Sequence, residues 1–192
     1  SDIDVSTIRL ITMVNEMLDI TKIEKGDLDL TLETFDVEEI INSVIEDLGD
    51  YANRHEFTAH YQKPKEPSMV YGDKVRVRQI FQNLIDNAIK YSSHPGRLDI
   101  TCSTTPSTVT VTFKDNGIGV PKTEQTKLFG RFYRASNTAK TSSSGSGLGL
   151  YIVKSIANQL GGDISFESEE NVGTTFHVTL PAHDPGAGTL PA

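Results

Sequence analysis

Apolar residues recur at Leu10, Ile11, Val14, Met17 and Leu18 with the period of a helix until Gly26 stops the pattern, so an amphipathic helix is expected over residues 6–25. Leu28, Leu30 and Leu32 then alternate as a strand would, and Asp36 can cap a second helix with Ile40, Ile41, Val44, Ile45 and Leu48 on one face. Strands are expected near 55–62 and 68–71, followed by a long helix from about Asp73 to Ser92. "RLDITCSTT" and "STVTVTFKD" alternate as the two limbs of a hairpin around Pro106. Periodicity is then lost until a helix from about Leu148 to Leu160, closed by Gly161 and Gly162. "DISFESEENVGTTFHVTLP" supplies two more alternating runs around a polar turn.

Helices mixed with mostly antiparallel hairpins predict an α+β fold of two layers, with helices covering one face of a mixed sheet. The first helix stands outside that scheme. Its apolar face needs a partner helix that the rest of the sequence does not visibly supply, like one half of an interrupted bundle. The expected division is one bundle helix at 1–27, a domain at 28–181 and a disordered tail at 182–192.

With 192 residues, 36% hydrophobic and 23% charged, the chain can bury a sizeable core and is expected to be globular. A net charge of -8 argues against general nucleic-acid binding. No apolar run is long enough to span a bilayer, so a cytoplasmic segment without membrane contact is expected. The single cysteine, Cys102, alternates with Leu98 and Ile100 and reads as a core thiol, and the five histidines lack metal-ligand spacing.

In "DKVRVRQIFQNLIDNAIKYS", Val77, Ile80, Phe81, Leu84, Ile85, Ala88 and Ile89 take one half of a helix, while Arg76, Asn83, Asn87 and Lys90 form a stripe along its border. Two carboxamides one turn apart suit a hard cation and a lysine one turn further suits phosphate, although a solvated polar face has the same pattern. No carboxylate falls on the stripe, so any nucleotide held there is expected to hydrolyse slowly. Val109, Val111 and Phe113 lead to Asp115, which Asn116-Gly117 presents at a turn. An ionised carboxylate accepts hydrogen bonds and donates none, so Asp115 could take the amino group of adenine and repel the carbonyl of guanine. Taken alone, the tripeptide is an ordinary hairpin turn.

Residues 121–146 hold Lys122, Lys127, Arg131, Arg134 and Lys140 against one acid, Glu124. They read as a mobile basic flap tethered by Phe129 and Phe132. Gly145, Gly147 and Gly149 end the flap just before a helix, where close backbone approach and unpaired N–H groups favour an anion. They fit neither a P-loop, which needs Lys and Ser/Thr after its last glycine, nor a dinucleotide loop, which follows a strand directly. A linker ending in a helix cap has the same composition, but carboxylate, amides, lysine and basic flap together point to one phosphate-bearing ligand.

In order along the chain, "NLIDNAIKYS", "DNGIGV", "LFGRFYR" and "GSGLGL" resemble the N, G1, F and G2 boxes of the sensor histidine kinases of two-component systems. "LITMVNEMLDITKIEKGDLDL" is similar to the second helix of their dimerisation and phosphoacceptor hairpin, and the likeness spans about residues 6–181. The resemblance implies the GHKL, or Bergerat, ATP-binding fold shared with gyrase, heat-shock chaperone and mismatch-repair ATPases. It implies ATP (or ADP) and Mg²⁺ as ligands, a phosphoacceptor hairpin and a downstream response regulator as partners, and a homodimeric parent kinase. Residue by residue, it implies that Asn87 ligates Mg²⁺, Asn83 acts at the phosphates, Lys90 contacts phosphate and Tyr91 stacks by the base. Asp115 would bind adenine in a pocket shaped by Gly117 and Gly119 and supported by Thr174. Gly145, Gly147 and Gly149 would hold the triphosphate end, with Phe132, Arg134 and Leu148 counted among the nucleotide-binding residues.

The family's phosphoacceptor box, a His followed by an acidic residue, a basic one, Thr and Pro, is absent: His55 precedes Glu56, but Phe57 follows. The resemblance therefore implies a catalytic part without its phosphoacceptor, unable to phosphorylate itself. Two alternatives stand beside the kinase. ATP-hydrolysing relatives place a Glu four residues before the Mg²⁺ asparagine, and here that place holds Asn83, whose neutral amide cannot serve as a base. The other is an anti-sigma-type serine kinase or nucleotide-binding module, against which the bundle-helix likeness of "MLDITKIEKG" argues.

Overall fold

The computed structural model describes residues 2–25, 28–140 and 145–182. Among the described residues, four α-helices, α1 (Asp2–Lys25), α2 (Val37–Arg54), α3 (Lys74–Lys90) and α4 (Gly149–Gln159), accompany seven strands. These are β1 (Glu33–Asp36), β2 (Phe57–Gln62), β3 (Met69–Gly72), β4 (Gly96–Thr104), β5 (Thr108–Asp115), β6 (Asp163–Glu169) and β7 (Gly173–Pro181). Five of them form one mixed sheet in the order β2-β4-β5-β7-β6, where β2 runs parallel to β4 and the other pairs are antiparallel. β1 and β3 form a separate antiparallel pair. The expected α+β architecture is present.

Alternation along the strands decides which face the helices cover. Leu98 and Ile100 on β4, Val109, Val111 and Phe113 on β5, and Phe176, Val178 and Leu180 on β7 are buried, while the residues between them turn outward. α3 lies over that apolar face with Val77, Ile80, Phe81, Leu84, Ile85, Ala88 and Ile89 all buried. Phe81 meets Phe113 of the sheet at a ring-centroid distance of 5.3 Å. α2 and α4 flank it on either side. Asp36 caps α2 by accepting from Glu38 N at 3.0 Å, and Asp73 caps α3 by accepting from Arg76 N at 3.0 Å. The second oxygen of Asp73 accepts from Thr31 N at 2.8 Å, tying the segment before β1 to the start of α3.

That bond bears on the alternating leucines, which do not form a strand. β3 has only four residues and pairs with residues 33–36, so no ladder partner remains for 28–32. Leu28 is buried, Leu30 half-buried and Leu32 exposed.

α1 differs from expectation as well. It docks on the domain through Ile20 and Ile23, which are buried, and Gln159 Nε2 on α4 donates to Ile23 O at 3.1 Å. Asp19 accepts from Gln79 Nε2 at 2.8 Å and from Arg76 Nη1 at 3.4 Å. The residues that announced the helix, Ile11, Val14, Met17 and Leu18, stay exposed. At the other end Ala182 still bridges to Val70, and residues 183–192 lie outside the described residues. Among the described residues, no helix is long and apolar enough to cross a membrane.

Asp73→Ala removes the cap of α3 and leaves the N–H of Thr31 unpaired. We expect a loss of about 1–3 kcal/mol in urea unfolding. An unchanged midpoint would mean that water replaces the carboxylate at no cost.

Candidate functional site

A cavity of about 540 Å³ opens beside α3, between the ends of β5 and β7 and the segment that leads into α4. Asn83, Asp86, Asn87 and Lys90 line it from α3, Asp115 from β5 and Thr174 from β7. The burial of the opposite face of α3 turns this border toward the cavity. Arg76, on the same stripe, does not reach it and donates instead to Gln79 Oε1 at 2.9 Å and to Asp19.

Gly145, Gly147 and Gly149 form the facing wall. A methyl group on Gly149 would lie 2.9 Å from Asn83 Oδ1, and one on Gly145 would lie 2.7 Å from Lys90 Nζ, so the run passes close to the polar stripe of α3. Gly147 has φ +73°, and a Cβ there would lie 2.7 Å from the carbonyl carbon of Phe132, so it cannot carry a side chain without moving that backbone. Leu148 is fully buried in the core and is not part of the wall; its N–H donates to Ser146 Oγ at 3.2 Å. The start of α4 is thus anchored by an apolar side chain while its glycines stay at the cavity.

Asp115 Oδ1 accepts from Gly117 N at 2.8 Å and from Thr174 N at 3.1 Å. Among the described residues Oδ2 accepts no bond, which leaves an acceptor at the cavity. Burial pushes the Asp115 carboxyl up, and the two N–H groups hold it down. Gly117 is outside the wall, packed against Tyr91 O, where a Cβ would come within 2.5 Å. Gly119 has φ +62° and would place a Cβ 2.0 Å from Glu169 O, so the turn after Asp115 depends on glycine. Thr174 is buried, with Oγ1 2.9 Å from Ser168 Oγ. Tyr91 lines the cavity too, and burial raises its phenol while the charge of Arg134 opposes the rise.

The basic segment is more fastened than expected up to residue 140, and residues 141–144 lie outside the described residues. Phe129 does tether it, packing on Phe166 at 5.6 Å with Lys154 Nζ 4.9 Å from its ring. Phe132 does not: it is 58% exposed and outside the cavity wall. Polar bonds take its place, among them Asn137 Nδ2 to Gly119 O at 3.0 Å. Tyr133 and Arg134 line the cavity.

Two carboxylates in the wall were not anticipated. Asp86 sits about 60° around α3 from Asn83, at roughly 100° per residue, away from the apolar arc; the basic segment and α1 extend the cavity over it. The stripe itself carries no carboxylate, as expected; the cavity wall is wider than the stripe and includes one. Glu16 reaches in from α1, with Oε2 buried and without a hydrogen-bond partner. Only the docking of α1 brings it there, so no local pattern could have marked it. No cluster of three His, Cys, Asp or Glu side chains suited to a metal exists among the described residues. His55 ends α2, His60 and His177 lie on strands and His94 lies in the loop after α3. His183 is outside the described residues.

The family described as "Histidine kinase-, DNA gyrase B-, and HSP90-like ATPase" matches residues 72–184, which holds α3, the sheet from β4 to β7 and the glycine run. The chain belongs to this ATPase family. Within it the likeness is to sensor histidine kinases. The signal transduction histidine-protein kinase BarA of Escherichia coli is 35% identical over 187 residues, 93% of this chain and 20% of BarA. The sensor protein kinase WalK of Staphylococcus aureus is 34% identical over 182 residues, 91% of this chain and 42% of WalK. The chain thus spans about a fifth of BarA and less than half of WalK. Among solved structures, histidine kinase ThkA in complex with response regulator protein TrrA aligns with a TM-score of 0.73 at 25% identity, over 94% of this chain and 49% of ThkA. This ATPase domain accordingly has the Bergerat fold.

Burial pushes the Asp86 carboxyl up to about 6, against the pull of Lys90. A carboxyl raised on folding binds more protons folded than unfolded between its ordinary value and that point, so the stability it allows falls as pH rises through this window. In the ligand-free ATPase domain, Asp86→Asn should raise Tm by about 2–6 °C near pH 7.5 and by much less near pH 4.5. An equal shift at both pH values would contradict a buried, raised carboxyl.

Proposed function

We propose that this ATPase domain is the catalytic part of a sensor histidine kinase, transferring the γ-phosphoryl group of ATP to a histidine on a helical hairpin supplied by another segment. The observation that carries this reading is the convergence, in one cavity, of the open oxygen of Asp115, the stripe Asn83, Asn87 and Lys90, and the three glycines. The carboxylate selects adenine by accepting its amino group, with Tyr91, Gly119 and Thr174 around the base and Gly117 behind Asp115. Lys90, Arg134 and the N–H groups of the glycine run take the triphosphate. Residues 1–27 are read as the second helix of the hairpin and 28–181 as the catalytic domain.

The donor set fits Mg²⁺. Asn83 spends its Nδ2 on Gln79 O at 2.9 Å, which directs its oxygen away from that bond and toward Gly149. Asn87 is the proposed ligand, with a carboxamide oxygen of the hard type such cations take, and the carboxylate of Asp86 lies in the same wall. The ion would neutralise charge on the phosphate oxygens. The protein's own part is to orient the terminal phosphate toward the incoming imidazole and to keep water away. ADP leaves as the N–P bond forms.

The likeness to ThkA, solved with a response regulator, supports a response regulator as the next acceptor. The exposed stripe Ile11, Val14, Met17 and Leu18 on α1 supports a homodimeric parent, and the use of ATP supports action in the cytoplasm. Asp86 gives a second reading, ATP hydrolysis, a footing of its own. It is the one α3 carboxylate in the wall and, held near neutrality, is suited to accept a proton from water.

Labelled ATP added to the chain alone should leave no acid-labile, base-stable phosphoryl group, and adding a hairpin that bears the phosphoacceptor histidine should restore transfer in trans. Label on this chain alone would overturn the assignment of the acceptor. Fast phosphate release abolished by Asp86→Asn would favour the hydrolase.

Calorimetry should find ATP bound more tightly than GTP, with Asp115→Asn losing most of that preference and Asn87→Ala weakening ATP only when Mg²⁺ is present, by about 10-fold or more. Equal affinity of the unaltered chain for both nucleotides would remove the role given to Asp115.

A further inference from the structure

Glu124 stands at the root of the basic segment, outside the cavity wall, and its carboxylate receives three donors. Oε2 accepts from Tyr133 Oη at 2.6 Å and from Ser136 N at 2.9 Å. Oε1 accepts from Ser136 Oγ at 2.5 Å. These bonds hold the Glu124 carboxyl down to about 2. A folded-state value below the ordinary one means that the contact persists at any pH above that point and weakens only on strong acidification.

The next residue fastens the root to the floor of the cavity. Gln125 Nε2 donates to Val120 O at 3.1 Å and to Ser168 O at 2.8 Å. Ser168 Oγ in turn accepts from Val120 N at 2.9 Å and lies 2.9 Å from Thr174 Oγ1. Glu124 therefore closes a loop across 12 positions from a fixed base. The two residues it holds, Tyr133 and Ser136, bracket Arg134 and Ala135, both of which line the cavity.

Arg134 sits at the end of the cavity where phosphate is expected. A Cβ on Gly147 would lie 2.7 Å from the carbonyl carbon of Phe132 and 2.9 Å from Tyr133 O, so the backbone just before Arg134 abuts the glycine run. The Tyr91 hydroxyl would lie 3.6 Å from a methyl group on Gly145, and Lys90 Nζ would lie 2.7 Å from the same point. Arg134 thus lines the cavity beside the glycine run, whose Gly145 approaches Lys90. An exposed pair of opposite charges is worth little, but three donors from two residues on one carboxylate define a geometry.

We propose that Glu124 is a positioning residue for nucleotide binding: by strapping Tyr133 and Ser136 to the anchored root of the segment, it holds Arg134 over the triphosphate. The inference rests on the nucleotide reading above. Phe132, which the sequence offered as a tether, is too exposed to do this, so the strap supplies the missing attachment.

Calorimetric affinities for ATP and for adenosine, measured on the unaltered chain, Glu124→Ala, Arg134→Ala and the double variant, test it. Glu124→Ala should weaken ATP about 10-fold and adenosine less than about 2-fold, and in the Arg134→Ala background it should add less than about 2-fold, because the two act as one unit. Ser136→Ala removes a single donor, folds if the root is intact, and should weaken ATP by about 2- to 3-fold. Full additivity of the two single losses, equal losses for ATP and adenosine, or no loss would each overturn the strap. Failure of the unaltered chain to bind ATP would instead overturn the nucleotide reading itself.

Discussion

The seven apolar residues of α3 buried against the sheet set the rotation of that helix about its own axis, and every polar group that α3 brings to the cavity depends on it. Each large side chain so buried contributes about 1.5–3 kcal/mol, so the face as a whole is worth on the order of 10 kcal/mol. A net hydrogen bond on the polar stripe is worth about 1 kcal/mol. Turning the helix by one residue, roughly 100°, would exchange the first for the second. Asn83, Asn87 and Lys90 are therefore held in place by the core behind them, not by anything they touch in front.

The two sides of the cavity are attached by different forces. The α3 wall and the start of α4, through Leu148 at 0% exposure, belong to the apolar core. The segment opposite rests on Glu124, Gln125 and Asn137, whose bonds go to backbone and hydroxyl groups, together with Leu128 and Phe129, which pack against the core. Polar contacts of this kind exchange with water at small net cost, whereas buried methylene groups do not. A wall held by the core and a wall held largely by polar bonds follow from the composition of each.

Legibility in the sequence followed the range of the interaction. The face of α3, the β4–β5 hairpin and the turn at Asp115 are local patterns and were readable. The parallel pairing of β2 with β4 was not, because it joins Phe57 to Gly96 across a helix and nothing near either residue names the other. The leucines at 28, 30 and 32 have strand periodicity, yet periodicity cannot supply a partner strand, and β3 is too short to reach them. On α1 the pattern marked the face that is bare, while Ile20 and Ile23, which hold the helix to α4, were too few to register as a face. Asp86 was legible as a position on a wheel but not as a wall, since the wall is completed by residues from elsewhere in the chain.

The charge of the cavity bears on what enters it. The chain carries a net charge of -8, and the wall itself includes Glu16, Asp86 and Asp115 beside Lys90 and Arg134. On the kinase reading, a bare triphosphate approaching this wall meets like charge from Glu16 and Asp86, and the low dielectric of a half-closed site strengthens that repulsion. A triphosphate carrying a divalent cation has part of its charge neutralised and can face the same carboxylates through the cation, while Lys90, Arg134 and the glycine N–H groups remain for its oxygens. The buried, unpartnered oxygen of Glu16 sharpens the asymmetry, because an acceptor without a donor gains most from a cation brought near it. The same acidic wall that argues against phosphate in isolation thus favours it in the company of a metal, and discriminates between the two forms before any bond to the base is made.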